Sequence, residues 1–518
     1  MNIHVGVLGN DRGWNTLLEQ EGVPHSFLHD ASDIEQCSVV IVSDTVVRST
    51  FEKVEQYLKN GGAVVCAGQT FTRMTSNPSS RVFVRYLIPE PESVYIGCGI
   101  IDLDSDCTLP ASANQLRTND GSSALLLGEF GGGYIAVLPF DAGAMMRDHR
   151  IGAKSFYARG RKLPHEQVSL VAKGAIRKLI SRTLELLHHR RGLPYVHAWY
   201  YPRDAQSIFA LRIDTDFANE QDIDRLHSLA QHLQVPFSWF VHVKHQQKFL
   251  QLFKAMVNHE IGIHCFNHVR YDQEETALHD IHKAINVFHT YGMEPRSFSA
   301  PYGCWNNDGA RAIDTFRFDY SSEFSYDYDN LPSYPLLDEH AGSTLQVPIH
   351  PISIGSLRRQ GFNEEEMHSY FNEIIDSKMS EREPLIFYHH PKNHHEVVLE
   401  NMIKHIQHQH VPSMRMIDCA KWWKERSRVS LDVKLQGAVL NVSSEHLHND
   451  VWIHITQGNG TESFVQQSPR FNLEHLVWKA KPISVPLPDD IHRARTFNPW
   501  IYINHVEDYI HRMFFPRT

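Results

Sequence analysis

Short apolar segments alternate with amphipathic segments along the middle of the chain, and this alternation restricts the possible folds more than any other feature. The segments "SIFALRID" (207–214), "VPFSWFVHV" (235–243) and "PLIFYHHP" (384–391) have the length and composition of buried strands. Between them, "EQDIDRLHSLAQHL" (220–233) has the apolar period of a helix. About seven such units follow one another, which predicts an α/β architecture with a distorted (β/α) barrel, whose functional side chains stand at the C-terminal ends of the strands.

The segments on either side predict two further domains. Residues 1–190 alternate buried strands with helices, which resembles a flavodoxin-like or class I glutamine-amidotransferase-like α/β fold. Residues 428–518 change to a period of two, typical of a small antiparallel β domain, which leaves the barrel at 195–427. A helix is expected over about 166–188. The segment "HHRRGLPYVHAWYYPRD" (188–204) is then interpreted as a linker.

One residue of the N-terminal domain suggests chemistry of its own. Cys66 ends a predicted strand and could act as a nucleophile in an amidotransferase-like site. Such a site also needs a histidine and a glutamate, and "LPFDAGAM" (138–145) offers no such pair. We therefore interpret Cys66 as a buried strand residue and the N-terminal domain as non-catalytic.

The composition argues against several classes of partner. The chain has 518 residues, a formal net charge of −10 and no long run of either sign, so we expect neither nucleic acid nor a membrane surface as its main partner. Its seven cysteines are scattered without a C-x-x-C pair, which favours a reducing compartment. The first residues, "MNIHVGVLGN", lack a signal-peptide pattern, and no apolar run reaches roughly 18 residues. We expect a cytoplasmic protein, and the sequence does not predict an oligomeric state.

Two predicted strand ends carry groups that could bind a metal. In "RIDTDF", Asp214 and Asp216 are two positions apart, so an extended strand would point both carboxylates the same way. Burying both would need a cation or a shared proton, and a metal is the simplest cation. In "EIGIHCFNH", His264 and His268 have the i, i+4 spacing that places two imidazoles on one face of a helical turn. Each motif alone also fits a simpler role, such as helix capping by aspartate or a chance pair among 35 histidines.

A third strand end, in "PLIFYHHP", carries His389 and His390. Taken with the other two, it completes a set of groups for one reaction type. Two histidines and one carboxylate can hold a divalent metal, a second carboxylate can act as general base, and a distant histidine can act as general acid. This combination predicts metal-assisted hydrolysis of an amide or an ester.

With these motifs in this order, residues 205–425 resemble the polysaccharide deacetylase family, also called carbohydrate esterase family four. "RIDTDF" matches the family's first motif with its aspartates spaced apart, "HCFNH" matches H-[ST]-x-x-H with Cys265 at the Ser/Thr position, and "LIFYHHP" matches the strand that ends in a catalytic histidine. "SAPYG" matches R-x-P-[YF]-G, except that Ser299 replaces the arginine. In the family, that arginine positions the catalytic aspartate or balances its charge. Because Arg212 shares a strand face with Asp214, we hypothesise that Arg212 pairs with Asp214 and takes over this role.

The resemblance implies a role for each residue of these motifs. Asp216, His264 and His268 would hold a divalent metal, with zinc as the expected ion. Asp214 would take a proton from the attacking water. His390, the second histidine of the strand end, would protonate the leaving amine or alcohol.

The resemblance also implies groups that contact the substrate. The backbone N–H of Tyr302 would help to stabilise the oxyanion of the tetrahedral intermediate. Trp239, Trp305 and the Tyr302 ring could stack on a sugar ring, and Pro301 would line the same site, although aromatic residues near strand ends also serve as packing.

The activity implied by the resemblance is removal of acetyl groups from an N- or O-acetylated carbohydrate. One alternative is hydrolysis of another small non-peptide amide on the same fold; the intact ligand set argues against a metal-free version of it. A second alternative is a carbohydrate-binding protein whose catalytic site has been retired. Asp214 and His390 argue against it, because a pure binding protein has no need of an acid and a base.

Overall fold

The central region folds around a parallel sheet of seven strands in the computed structural model, which describes residues 1–28, 31–337 and 340–496. All neighbouring pairs in this sheet are parallel, as the strand–helix alternation predicts. The sheet curls into a half-barrel. From one edge to the other, its strands are Leu345–Gln346, Tyr320–Ser321, Ser297–Phe298, Glu260–Cys265, Phe237–His242, Phe209–Asp214 and Leu385–His389.

Helices cover the outer face of this sheet. Two of them begin with capping boxes, at Asn219 and Asn363, where the side chain and backbone of the cap exchange hydrogen bonds with the third helical residue. Among the described residues, no helix has the length and apolar character needed to cross a membrane. The main helices of this region are Glu220–Leu233, Leu250–Ala255, Glu274–Thr290, Asn307–Thr315, Glu364–Ser380, Glu396–His408 and Met416–Ser427.

Side chains alternate between the two faces of each strand. In the Phe209–Asp214 strand, Leu211 and Ile213 pack with the helices in the outer apolar cluster. The guanidinium of Arg212 lies inside the barrel, 5.1 Å from the centre of the Tyr388 ring. The same parity points Asp214 to the interior at the C-terminal end of the strand, where the barrel prediction places functional groups.

The two edges of the sheet are not paired with each other within the described part of the chain. One backbone hydrogen bond, from His350 N to Ile386 O at 2.8 Å, crosses the gap between them. The barrel that the sequence predicts is therefore open on this side.

A hairpin from the N-terminal region packs against the open side of the barrel. Its strands are Ile151–Ser155 and His165–Ser169. Val168 belongs to the apolar cluster inside the barrel, together with residues from both sheet edges. Gln360 exchanges two hydrogen bonds with the backbone of His165, at 2.8 and 2.9 Å, which anchors the hairpin to the central region.

The N-terminal region contains the parallel strands that the sequence predicts. Its first sheet has six strands, five of them parallel and the last antiparallel. Cys66 is buried in this sheet, and burial raises the pKa of its thiol, as expected of a packing residue rather than a nucleophile. The likeness to a flavodoxin or amidotransferase fold stays a prediction. In spatial order the strands are His25–Leu28, Val5–Leu8, Val39–Val42, Ala63–Ala67, Gly133–Leu138 and Leu126–Phe130.

A second sheet in this region is absent from the sequence prediction. Its longest strand, Ser79–Pro89, is largely exposed and carries arginines at 81 and 85, so it lacks the apolar run by which the other strands were recognised. The sheet consists of Ile101–Pro110, Ser79–Pro89, Leu116–Thr118 and Ser123–Ala124.

The segment interpreted as a linker is a strand. Tyr195–Pro202 pairs in antiparallel fashion with Val451–Thr456, and its many aromatic residues favour extended structure. The helix expected over 166–188 is Lys173–Arg190, preceded by a strand. The chain thus passes between the predicted domains more than once, and the boundaries near residues 190 and 428 remain predictions.

Two antiparallel sheets occupy the C-terminal region and share one apolar cluster. One is ordered Tyr195–Pro202, Val451–Thr456, Thr461–Gln466, Lys479–Ala480, and the other Leu431–Gln436, Val439–Ser444, Arg470–Asn472. The first residues of the chain join the second sheet through a hydrogen bond from Ile3 N to Val433 O, at 2.9 Å.

A buried arginine connects the N-terminal and central regions. Arg177 contacts Glu21 at 3.0 Å, Glu383 at 2.6 Å and the Asn330 side chain at 2.9 Å. Burial alone would lower the pKa of Arg177, but the two glutamates raise it well above its usual value, so the group stays charged.

Replacing Arg177 by alanine should destabilise the whole chain. The change leaves two buried carboxylates without their cation, which typically costs about 3–5 kcal/mol. We expect a clear fall in the thermal unfolding midpoint. The matched control is Arg81→Ala, which removes an exposed pair with Asp106 and should change stability by about 0–1 kcal/mol. Equal midpoints for the two variants would contradict a connecting role for Arg177.

Candidate active site

Asp214 ends its strand with one oxygen paired and the other unpaired. Arg212 Nη2 lies 2.7 Å from Asp214 Oδ2, and the same guanidinium donates to Ser322 O at 2.5 Å. Both partners of the ion pair are buried. Asp214 Oδ1 has no hydrogen-bond partner among the described residues. The pair that the sequence predicts is therefore present, and it leaves one carboxylate oxygen able to accept a proton.

Asp216 lies beyond the strand, in a turn. Its φ of +40° is a left-handed conformation, so the expectation of two aspartates on one extended strand was wrong in its geometry. Its carbonyl accepts hydrogen bonds from His242 Nδ1 at 2.8 Å and from Gln246 Nε2 at 3.0 Å. Gln246 also accepts from the Thr215 hydroxyl at 2.6 Å, and these contacts hold the turn in place.

His264 and His268 direct ring nitrogens at the same oxygen of Asp216. Their Nε2 atoms lie 3.2 and 3.3 Å from Asp216 Oδ1. His264 Nδ1 donates to Ser299 O at 2.8 Å, so in the neutral ring Nε2 is the acceptor. The two histidines do not share a helical turn, because His264 is in a strand and His268 follows it in a non-helical bend.

The bend between the two histidines is held by Asp280 on the next helix. Its carboxylate accepts from the backbone N–H groups of Phe266 and Asn267, both at 2.8 Å, and from the Tyr271 hydroxyl at 2.8 Å. Cys265, at the position where the resemblance expects Ser or Thr, is fully buried.

These three side chains fit a divalent metal. One ligand atom from each of Asp216, His264 and His268 lies within 4.8 Å of the others. Asp216 Oδ1 and His264 Nε2 are both buried without a hydrogen bond, and two acceptors that face each other need either a metal cation or a shared proton between them. Burial alone would raise the pKa of Asp216, but His390, His264 and His268 outweigh it and hold that pKa well below its usual value.

His390 lies near the second carboxylate oxygen of Asp216. It follows the Leu385–His389 strand, and its Nε2 lies 3.5 Å from Asp216 Oδ2. Burial lowers the pKa of His390, while Asp216 and Asp214 oppose that effect. His389 is fully buried, and burial lowers its pKa to about 3, so it suits a packing position rather than proton transfer. The choice of His390 over His389 fits this arrangement.

The segment around Tyr302 is shaped by a buried carboxyl group. Glu323 Oε1 accepts from Ala300 N at 2.9 Å, just before Pro301. Tyr302 follows with a φ of +63°, and its ring lies 4.7 Å from that of His268. Tyr302 is 36% exposed, so it faces the open side of the site. Pro301 is buried in the turn.

Two residues predicted to contact a substrate are in the wrong place. Trp239 is fully buried in the outer cluster, where it packs on Phe253, because its strand parity points it toward the helices. Trp305 is 3% exposed and packs between His149 and Tyr326. Neither ring can stack on a sugar in this conformation, so both assignments were wrong. The assignment of Pro301 stays a prediction.

Four supporting residues were missed by sequence reasoning: His242, Gln246, Asp280 and Glu323. Only His242 gave a usable signal, because it ends a predicted barrel strand as the other functional histidine does. The other three lie on helices or in a loop whose positions depend on the fold, and nothing in their spacing marks them.

Comparison with known families supports the assignment of the central region. Residues 207–320 match the family model "Polysaccharide deacetylase". The match includes Asp214, Asp216, His264, His268 and Tyr302, and it ends before His390. No curated protein matches the chain.

Several solved structures are similar to about half of the chain or less. A probable polysaccharide deacetylase from Pseudomonas aeruginosa PAO1 is 19% identical over 42% of this chain and 91% of its own, with a TM-score of 0.37. The allantoinase PuuE is 17% identical over 43% and 92%, with a TM-score of 0.38. A CE4-family pseudoenzyme from Bacillus anthracis is 13% identical over 52% and 90%, with a TM-score of 0.30. Similarities of this size do not indicate a substrate.

Purified protein should bind one divalent ion, and His264→Ala should lose it. Removing one of three ligands is expected to weaken the affinity at least ~100-fold. The test is to dialyse the protein against zinc or another divalent ion and to measure the bound metal by mass spectrometry. The control is His405→Ala, which removes an exposed histidine that contacts Asp376 at 2.7 Å outside the cluster. Wild-type metal content in His264→Ala would exclude the site.

Proposed function

Because residues 207–320 carry a polysaccharide deacetylase domain, we propose that the protein is a metal-dependent hydrolase that removes acetyl groups from an N- or O-acetylated carbohydrate. The single observation that carries this proposal is the convergence of different groups at one end of the sheet. The Asp214 carboxylate with its unpaired oxygen, the candidate metal ligands Asp216, His264 and His268, and the His390 ring lie together there. Together they supply a base, a metal site and an acid, which suffice for metal-assisted hydrolysis of an acyl bond.

Asp214 is the proposed general base. Its Oδ2 is held by Arg212, which fixes the carboxylate and stabilises its charge, and its Oδ1 is left to accept a proton from water. When bound at Asp216, His264 and His268, a divalent ion, with zinc the expected one, supplies Lewis acidity for water and the acetyl carbonyl. The Ser299 carbonyl keeps His264 in the tautomer that presents Nε2 to that ion.

His390 is the proposed general acid. It lies beside Asp216 Oδ2 and next to Tyr388. A protonated ring there would donate to the departing amine or alcohol. The backbone N–H of Tyr302, in the turn held by Glu323, would donate to the oxyanion.

The Asp214→Asn variant should lose activity while keeping its metal. The amide keeps the shape of the carboxylate but cannot take a proton, and loss of a general base typically costs 10²–10⁴-fold, so we expect about that loss in kcat. Acetate release from 4-nitrophenyl acetate and from N-acetylated chito-oligosaccharides measures it. If wild type and variant both show only background rates, the result would support a binding protein with a retired site. If wild type hydrolyses small cyclic amides and no acetylated substrate, the result would support a hydrolase of small non-peptide amides.

Arg212→Ala tests whether this arginine replaces the one absent at Ser299. Without its guanidinium, Asp214 loses the hydrogen bond that orients it, and kcat should fall at least ~10-fold. Arg212→Lys keeps the charge without the planar geometry and should recover only part of the rate. Unfolding midpoints for both variants separate lost activity from lost structure. Wild-type kcat in a folded Arg212→Ala protein would refute the hypothesis.

A further inference from the structure

A second polar cavity lies at the opposite end of the barrel from the candidate active site. It has a volume of about 90 Å³ and opens to solvent. Its walls come from the Lys173–Arg190 helix, the Tyr195–Pro202 strand, the loop around residue 382 and the C-terminal segment near Lys481. Glu383 precedes the Leu385–His389 strand and His390 follows it, which separates the two sites by on the order of 20 Å.

Three buried polar atoms in this cavity have no hydrogen-bond partner within the described residues. They are Glu381 Oε1, Glu383 Oε2 and the Tyr195 hydroxyl. The Glu383 and Tyr195 side chains are 6% and 3% exposed, so bulk water does not satisfy them freely. Buried carboxylate oxygens without donors are costly, and their presence in an open cavity indicates a ligand that donates hydrogen bonds.

Among the described residues, the ion pairs around the cavity leave one negative charge in excess. They join four cations to five carboxylates: Arg177, Arg182, Arg382 and Lys481 to Glu21, Glu185, Glu381, Glu383 and Glu462. Arg177 is shared by Glu21 and Glu383, which gives two carboxylates for one guanidinium. Glu381 lies 4.0 Å from Arg182, at the limit of an ion pair. A cationic donor therefore suits the unpaired oxygens better than a neutral hydroxyl group does.

The same cavity also presents a cation without a carboxylate partner. Lys178 lines the wall beside Glu381 and Glu383, and no ion pair or hydrogen bond of its ammonium group is found among residues 1–28, 31–337 and 340–496. A ligand with only a positive charge would leave Lys178 without a carboxylate partner. A ligand with only a negative charge would be repelled by the unpaired carboxylate oxygens. A molecule that carries both charges matches both.

We propose that this cavity binds a small zwitterion of the amino-acid type. Its ammonium group would donate to Glu381 Oε1, Glu383 Oε2 and the Tyr195 hydroxyl, and its carboxylate would pair with Lys178. The site is separate from the hydrolase chemistry proposed above and does not rest on it.

A thermal-shift screen of the full-length protein against the twenty amino acids tests the proposal. At least one of them should raise the unfolding midpoint by at least ~1 °C, because a ligand that binds only the folded chain stabilises it. Ethanolamine and acetate, each of which carries one of the two charges, should give smaller shifts at the same concentration. Glucose and inositol test the neutral alternative.

Variants of the lining residues test whether the amino acid that raises the unfolding midpoint binds in this cavity. Lys178→Ala and Glu381→Gln should each weaken binding at least ~10-fold by calorimetry, since each loses a charged contact. Lys421→Ala, an exposed lysine on another helix, and Asp214→Asn should bind as wild type does. The proposal is overturned if no amino acid stabilises the protein, if polyols alone do so, if both cavity variants bind normally, or if Asp214→Asn abolishes binding.

Discussion

Two carboxylates at the end of one buried strand need separate cations, and the site is organised around that requirement. Asp214 and Asp216 would repel each other if both were held in a dry interior without compensation. Arg212 neutralises the first from within the same strand, at 2.7 Å. The second turns out of the strand and meets His264 and His268. As a result, Asp214 keeps one oxygen without a hydrogen bond, which can accept a proton. Asp216 lies beside two histidines, in an arrangement that fits a metal ligand.

Backbone carbonyls and buried carboxyl groups fix this arrangement. The Asp216 carbonyl is held by His242 and Gln246, while the Ser299 carbonyl orients His264. Glu323 holds the turn before Tyr302. These contacts come from different strands and loops of the curled sheet, so the positions of the candidate metal ligands and of the proposed catalytic groups depend on the curvature of the whole barrel. A hairpin of the N-terminal region packs into its open side and supports that curvature.

Helices and strands were predicted correctly where the spacing of apolar residues was enough to identify them. The helix at Glu220–Leu233 and the strand at Phe209–Asp214 follow from apolar period and length alone. The strand Ser79–Pro89 was missed because it is exposed and charged, and the strand Tyr195–Pro202 was taken for a linker because its partner lies 250 residues away. The position of Trp239 was predicted wrongly because neighbouring residues of a strand point to opposite faces of the sheet. A shift of one position therefore moves a ring from the barrel interior to the outer apolar core.

The sequence by itself determined the strand–helix order, the ion pair between Arg212 and Asp214, and the residues that converge on Asp216. Each of these follows from local spacing and from residue chemistry. The tertiary structure decided the rest: the left-handed turn at Asp216, the open barrel edge, the support from Asp280 and Glu323, and the polar cavity around Glu383. These features join residues far apart in the chain, and their contacts exist only after the sheet has curled and the regions have packed together.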